Sequence, residues 1–206
     1  MAMAPEEVRA LTVSLWQTVM RDGVDRLLKW LESTDYFRAP SSTEHHLAVE
    51  AGLALHSLNV FHLLVEKARR YGLDVPHETL VVCGLGHDLC KVNFYEVGYR
   101  NVKEDGQWVQ KRVWVVKDQM PLGHGEKSLS ILQDFLRLTD EEKLAVRWHM
   151  AAWDPAAHVH PAQYALQGAI KFTPLVVLLS TADFEATRLL ETETDITPLA
   201  RSLMPA

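Results

Sequence analysis

An apolar run, Leu80-Val81-Val82-Cys83-Gly84-Leu85-Gly86, ends on an adjacent histidine and aspartate, His87-Asp88. No other feature of this sequence constrains the fold as tightly. The run is apolar nearly all round a helix, which places it at the centre of a packed domain. Carrying an imidazole and a carboxylate into that centre is costly unless each is paired or coordinates a cation. Neighbouring helical side chains diverge by about 100°, so both can face one ion only where the helix ends and the chain turns. A chain built this way must bring further polar groups to the end of a central helix.

The surrounding pattern is helical. Residues 6–20 carry Val8, Leu11, Leu15 and Val19 at helical spacing, and 23–33 carry Val24, Leu27, Leu28 and Leu31. A polar stretch over 39–44 reads as a loop. A long helix over about 52–70 has Leu53, His56, Val60 and Leu63 on its buried side. Pro76 is placed to open the central apolar helix, where its missing N–H costs nothing. Helices are also predicted over 125–138, from the capping box Thr139-Asp140-Glu141-Glu142 through His149, and from Thr173-Pro174 to about Leu190. The one β signal is a pair of runs, 97–103 and 107–116, flanking Glu104-Asp105-Gly106, and Asp-Gly is a strong hairpin turn. The expectation is an all-α helical bundle, a single domain over 1–206, with one small inserted β-hairpin at about 97–116. A chain of 206 residues that is 48% hydrophobic can bury one sizeable core.

Composition narrows the function classes. Lys and Arg number 21 against 27 Asp and Glu, a net charge of −6, which argues against broad binding to duplex nucleic acid or to an anionic membrane. The two cysteines, Cys83 and Cys90, stand seven apart, as if on one helix face. They read as reduced core thiols in a cytoplasmic protein. The opening MAMAPEEVRA does not read as a signal peptide, and no apolar run reaches spanning length. Glycine-rich phosphate loops and the GxSxG elbow are missing from the sequence. The apolar stripe of the first helix belongs either to the core or to a homo-oligomer contact.

Ten histidines remain to be explained. His56 shares a helix face with leucines and valines, and Asp183 ends the apolar run Leu175–Ala182. His124 opens one predicted helix and His149 closes another. In order, His56, His87-Asp88, His124, His149 and Asp183 resemble the H…HD…H…H…D signature of the HD-domain superfamily of metal-dependent phosphohydrolases. The likeness spans a core of about 46–190. His87-Asp-Leu-Cys-Lys91 is similar to that family's HDxxK phrase, with Cys90 where Gly is usual. Bacterial and phage single HD domains, and the HD portion of YhaM-type exoribonucleases, carry similar patterns, although the OB domain of those exonucleases has no counterpart in this sequence.

The resemblance implies two divalent ions, Mn, Fe, Ni or Mg. His56, His87, Asp88 and Asp183 would hold one, His124 and His149 the second, with Asp88 bridging. Two divalent cations against two carboxylates leave a cationic pocket suited to phosphate, in an acidic chain. A ligand set of nitrogen and oxygen, without thiolate, argues against a structural zinc site. The implied activity is cleavage of a phosphomonoester or phosphodiester, in a nucleotide or short oligonucleotide, by metal-bound hydroxide. Asp88 and Lys91 are the catalytic candidates, Lys91 as an ammonium that binds phosphate. His46 and Glu50, just before the long helix, are candidates for substrate contact, as are Arg100 and Lys103 of the hairpin and Lys127 near His124. Lys111, Arg112, Trp108 and Trp114 make the hairpin a possible lid over an anionic, base-containing substrate. His158 and His160 read as a solvated loop. Two other functions fit the same ligands: a diiron HD-type oxygenase, and a nucleotide-binding signalling module.

Overall fold

A computed structural model of the chain describes residues 3–191. Helix α1 (Pro5–Gln17) starts with proline in its first turn, and the Glu7 carboxylate accepts the Ala4 amide at 2.9 Å. Its inward stripe, Val8, Thr12 and Trp16, is buried in the core. Of the expected stripe, Val8 and Val19 are buried in the same core, and Leu11 and Leu15 pack partly buried against it. Helix α2 (Val24–Ser33) buries Val24, Leu27 and Leu31. Helix α3 (Gly52–Arg70) runs through the middle of the molecule, buried without a break from Gly52 to Leu64. Helix α4 (His77–Gly86) is buried from Thr79 to its end and packs on α3. The two helices approach so closely that a Cβ on Gly84 would lie 2.7 Å from the Phe61 Cα, so any larger residue there would force the helices apart.

After α4 the chain makes a 3-10 turn, Leu89–Lys91, and enters an antiparallel hairpin of β1 (Tyr95–Glu104) and β2 (Gln107–Val116). Glu104 pairs with Gln107 across a two-residue turn. Asp105 (φ 49°) and Gly106 (φ 82°) both have positive φ, as the turn matching strand twist requires. The remaining helices are α5 (His124–Phe135), α6 (Asp140–Arg147), α7 (Ala162–Phe172) and α8 (Leu175–Glu185), with a π-helical turn, Ala186–Leu190, closing the described chain. Helix α8 packs on α3 and α6, so α3 is enclosed by α1, α4 and α8. Among the described residues, no single helix is long and apolar enough to cross a membrane.

The predicted capping box forms. Thr139 Oγ1 accepts the Glu142 amide at 3.2 Å, and the Glu142 carboxylate accepts the Thr139 amide at 2.9 Å. The same carboxylate, fully buried, receives both terminal nitrogens of Arg21 at 2.8 and 2.7 Å and the Thr79 hydroxyl at 2.8 Å. One residue thus caps α6 and ties it to α4 and to the α1–α2 connection. Several boundaries differ from expectation. Helix α1 stops at Gln17, and α5 stops at Phe135 because Leu136 turns extended (φ −120°, ψ 140°). Helix α7 has little sequence signal, since only Leu166 and Ala169 on it are buried. The cysteines are free and buried as expected, but they do not share a helix: α4 ends at Gly86, and Cys90 lies in the turn beyond it.

Candidate metal centre

The end of α4 creates the geometry that the adjacent His87 and Asp88 require. His87 keeps helical angles (φ −60°, ψ −32°), whereas Asp88 leaves the helix at φ −110°, ψ 20°. Both side chains therefore face the same interior point. Around it stand His56 from the first half of α3, Asp183 near the end of α8, His124 at the first position of α5, and His149 just past α6. The placement of α5 depends on another close approach: a Cβ on Gly125 would meet the Arg147 carbonyl oxygen at 2.1 Å. Glycine there lets the His124 end of α5 lie against the chain that leads into His149.

The six residues form a continuous network. His56 Nε2 is 3.2 Å from Asp183 Oδ1, 3.4 Å from Asp88 Oδ2 and 3.3 Å from His87 Nε2. His87 Nε2 is 3.6 Å from Asp88 Oδ2. On the other carboxylate oxygen, Asp88 Oδ1, converge His124 Nε2 at 2.7 Å and His149 Nε2 at 3.7 Å. Asp88 therefore turns one oxygen to His56 and His87 and the other to His124 and His149. The Lys91 ammonium, three residues on, lies 2.7 Å from Asp88 Oδ2.

The imidazoles are aimed by their second nitrogens. His87 Nδ1 donates to the Gly84 carbonyl at 2.9 Å and His149 Nδ1 to the Val146 carbonyl at 2.7 Å, which leaves each Nε2 facing inward as a lone pair in the neutral ring. His56 Nδ1 meets both oxygens of Glu191 at 3.0 Å, and Asn59 Nδ2 donates to the same carboxylate at 2.9 Å. This carboxylate–histidine pairing is the arrangement that fixes metal-binding histidines. His149 Nε2 is buried with no hydrogen-bond partner among the described residues, an expensive state for a polar atom that a bound cation would relieve. Donor chemistry and the orphaned nitrogen together fit a divalent-metal site.

Charge follows the geometry. Burial opposes ionisation of Asp88, yet Lys91, His87, His124 and His149 hold its carboxyl well below the usual range. Burial works the same way on Asp183, and contact with His56 overrides it. His56 is held well above 6.5 despite its burial, because Glu191, Asp183 and Asp88 surround it. Burial alone dominates at His87, which falls to about 4. His46 also falls to about 4, through burial and the nearby charges of His56 and Lys91.

A cavity of about 350 Å³ opens onto the network and is lined by His46, Asp88, Lys91, His124, His149 and Asp183, with Trp153, Phe184 and Arg188 among the other lining residues. Of the residues expected to contact substrate, His46 and Lys91 are here, the His46 ring centred 5.3 Å from that of His56. The others lie elsewhere. Glu50 lines a separate cavity with Arg38, Arg112 and Trp114. Arg100 pairs with Glu44 on the surface, and Lys103 is exposed opposite Trp108. Lys127 is buried, with its ammonium 2.6 Å from Asp118 and over the Phe94 ring. No hairpin residue lines the metal-facing cavity, so the hairpin does not form a lid over it: Arg112, Val113 and Trp114 line the separate cavity with Glu50 instead. His158 is exposed, as expected of a loop residue, within a short 3-10 turn, Pro155–His158, where it contacts the Ala152 carbonyl.

Glu191, Asn59, Cys90, Trp153, Phe184 and Arg188 are at or around the site without having been signalled. Glu191 opens the charged stretch Glu191-Thr-Glu-Thr-Asp195, where a buried carboxylate is indistinguishable from a solvated one. For Cys90, its position two residues from Asp88 was the available signal.

A family model described as the HD domain matches residues 53–204. No curated protein and no solved structure matches the chain. The matched span takes in His56, the His87-Asp88 pair, His124, His149 and Asp183, and in general terms the family is one of metal-dependent phosphohydrolases. By that match, over most of its length, the chain belongs to the HD-domain family.

Proposed function

We propose that this protein hydrolyses a phosphoester of a nucleotide or short oligonucleotide, using two divalent ions bridged by Asp88. The observation that carries the reading is the division of the Asp88 carboxylate: Oδ2 faces His56 and His87, and Oδ1 faces His124 and His149. With Asp183 on the first side, each half of the site has its own donors around one shared carboxylate. When bound, such ions supply Lewis acidity, charge for phosphate oxygens and an acidified water.

The protein's own residues do the rest. Asp88 is ionised and immobilised by its contacts, so it is available as a bridge without prior proton loss. Lys91, on the cavity wall, presents an ammonium that donates to a phosphoryl oxygen as charge develops there. His46, neutral at pH 7, can hydrogen-bond substrate without adding charge. At the cavity mouth the Trp153 and Phe184 rings lie nearly parallel, 13° apart with centroids separated by 6.1 Å, and the Arg188 guanidinium sits 5.9 Å from the Phe184 ring. Exposed aromatic faces beside an arginine suit a stacked base and its phosphate. The volume supports a small substrate rather than a duplex.

The test is a panel of nucleotide mono- and diesters incubated with the Mn²⁺-loaded protein, with oxygen uptake followed in parallel on the iron-loaded form. Phosphate or nucleoside release, lost together with both ions in Asp88→Ala, is the expected result. Oxygen consumption without phosphoester cleavage would overturn it.

A further inference from the structure

The thiol of Cys90 does not lie in the apolar core with Cys83. Its sulfur is 3.6 Å from His124 Nε2, 3.4 Å from Nδ1 of the same ring and 3.9 Å from Asp88 Oδ1. Cys90, His124 and Asp88 each offer one donor atom, and these atoms lie within 4.8 Å of one another. A sulfur and a nitrogen bound to one tetrahedral ion, at bond lengths of about 2.3 and 2.0–2.1 Å, stand about 3.5 Å apart. Nearly equidistant from both ring nitrogens, the sulfur rests over the face of the His124 ring, so sharing an ion with Nε2 takes a side-chain rotation of Cys90 or of the half-exposed His124, and the distance to be closed is within reach of one rotation. Independently, the partnerless Nε2 of His149, itself buried, points to the same carboxylate oxygen.

We propose that Cys90 is a metal ligand. Together with His124, His149 and Asp88 Oδ1 it gives the second half of the site a sulfur–nitrogen–oxygen donor set, while the His56–His87–Asp183 half keeps nitrogen and oxygen alone. On binding, the S–H bond is replaced by a sulfur–metal bond and the proton passes to solvent, with no change of oxidation state. The two halves then differ in taste. A thiolate favours zinc, iron(II) or cobalt over magnesium and manganese, so a mixed or asymmetric metal content follows. This inference rests on the reading above that the His124–His149 side holds an ion.

Cobalt(II) tests it without any assay of turnover. The full-length protein is titrated with Co²⁺ and its near-ultraviolet and visible spectra recorded, for wild type, Cys83→Ala, Cys90→Ser and Cys90→Ala. A sulfur-to-cobalt charge-transfer band is expected in wild type and Cys83→Ala and absent from both Cys90 variants. Zinc affinity at one of two sites should fall at least about tenfold in those variants, as even an outer-shell change achieves, with manganese affinity changed less. Two cobalt ions bound to wild type without the band would overturn the thiolate ligand and leave the two-ion reading standing. A single bound ion, insensitive to His149→Ala, would overturn both. X-ray absorption of the wild-type zinc form, with or without a sulfur scatterer near 2.3 Å, decides the matter if the Cys90 variants fail to fold.

Discussion

Glu191 offers the sharpest test of how this site is held. Both of its oxygens are 3.0 Å from His56 Nδ1, and it also accepts from Asn59, so the His56 ring is fixed with Nε2 directed at Asp88 and Asp183. Glu191→Gln keeps the volume and one acceptor but removes the charge and forces one amide to serve two donors. Loss of such a carboxylate partner typically weakens metal binding by about 10–100-fold, which is about 1.4–2.7 kcal/mol. Proton competition works against seeing this. Glu191 also favours the protonated form of His56, which must lose a proton from Nε2 before it can ligate, so part of the effect cancels in acid. Titration with Mn²⁺ at about pH 8.5 reduces that cancellation. The expected result is a drop of about 10–100-fold at one ion site, with the other site and the far-ultraviolet circular dichroism unchanged. A Kd within about threefold of wild type, under 1 kcal/mol, would show that Glu191 does not orient the ligand.

Two further outcomes concern the scaffold. The Glu142 carboxyl is buried, yet its contacts with Arg21, Thr139 and Thr79 hold it below the ordinary 4.5. The unfolded chain therefore binds more protons in acid, and the stability contributed by Glu142 is complete above about pH 4.5 and is lost as pH falls through the lower folded value. Glu142→Ala should cost about 1.5–3 kcal/mol near neutrality, the worth of a hydrogen bond to a charged group, because partly buried Arg21 is left with Glu78 alone, a penalty that shrinks in acid. Urea midpoints at both pH values measure it, and equal penalties would refute the linkage. Gly84→Ala should cost about 1–3 kcal/mol by overpacking the α3–α4 crossing, where its Cβ would meet Phe61. Because α3 carries His56 and α4 leads into His87-Asp88, Mn²⁺ affinity should fall with it. Gly168→Ala in α7, with nothing within 4 Å, should instead stabilise by about 0.5–1 kcal/mol; thermal melts of both variants compare them, and equal behaviour would refute the packing account.

Much of this protein is legible in the sequence because its determinants are local. The helices with wide apolar faces, the Thr139–Glu142 capping box and the Asp105-Gly106 turn rest on contacts within a few residues. So does the inference that His87 and Asp88 sit at a helix end, since two adjacent side chains can converge only there. The six candidate ligands stand out because imidazole and carboxylate are conspicuous among leucine and valine. Charged residues on polar segments carry no such contrast. Glu50, Arg100, Lys103 and Lys127 look alike as candidates, yet none lines the metal-facing cavity, and Lys127 is paired with Asp118. Conversely, Arg188 reaches the site from the last turn of a predicted helix with nothing to single it out, and Glu191 from the charged stretch that follows.

What the sequence determined by itself is therefore an all-α domain that must bury histidines and aspartates together, because the cost of burying each alone leaves few alternatives. Orientation, by contrast, comes from the packing of distant elements. Packing of α3, α4 and α8 sets which Asp88 oxygen each imidazole faces. The turn after α4 carries Cys90 away from Cys83 to the side of His124, and the last described residue comes back to hold His56. These contacts join residues up to 135 positions apart. Their energies depend on distances of a few tenths of an ångström, and no local pattern encodes those.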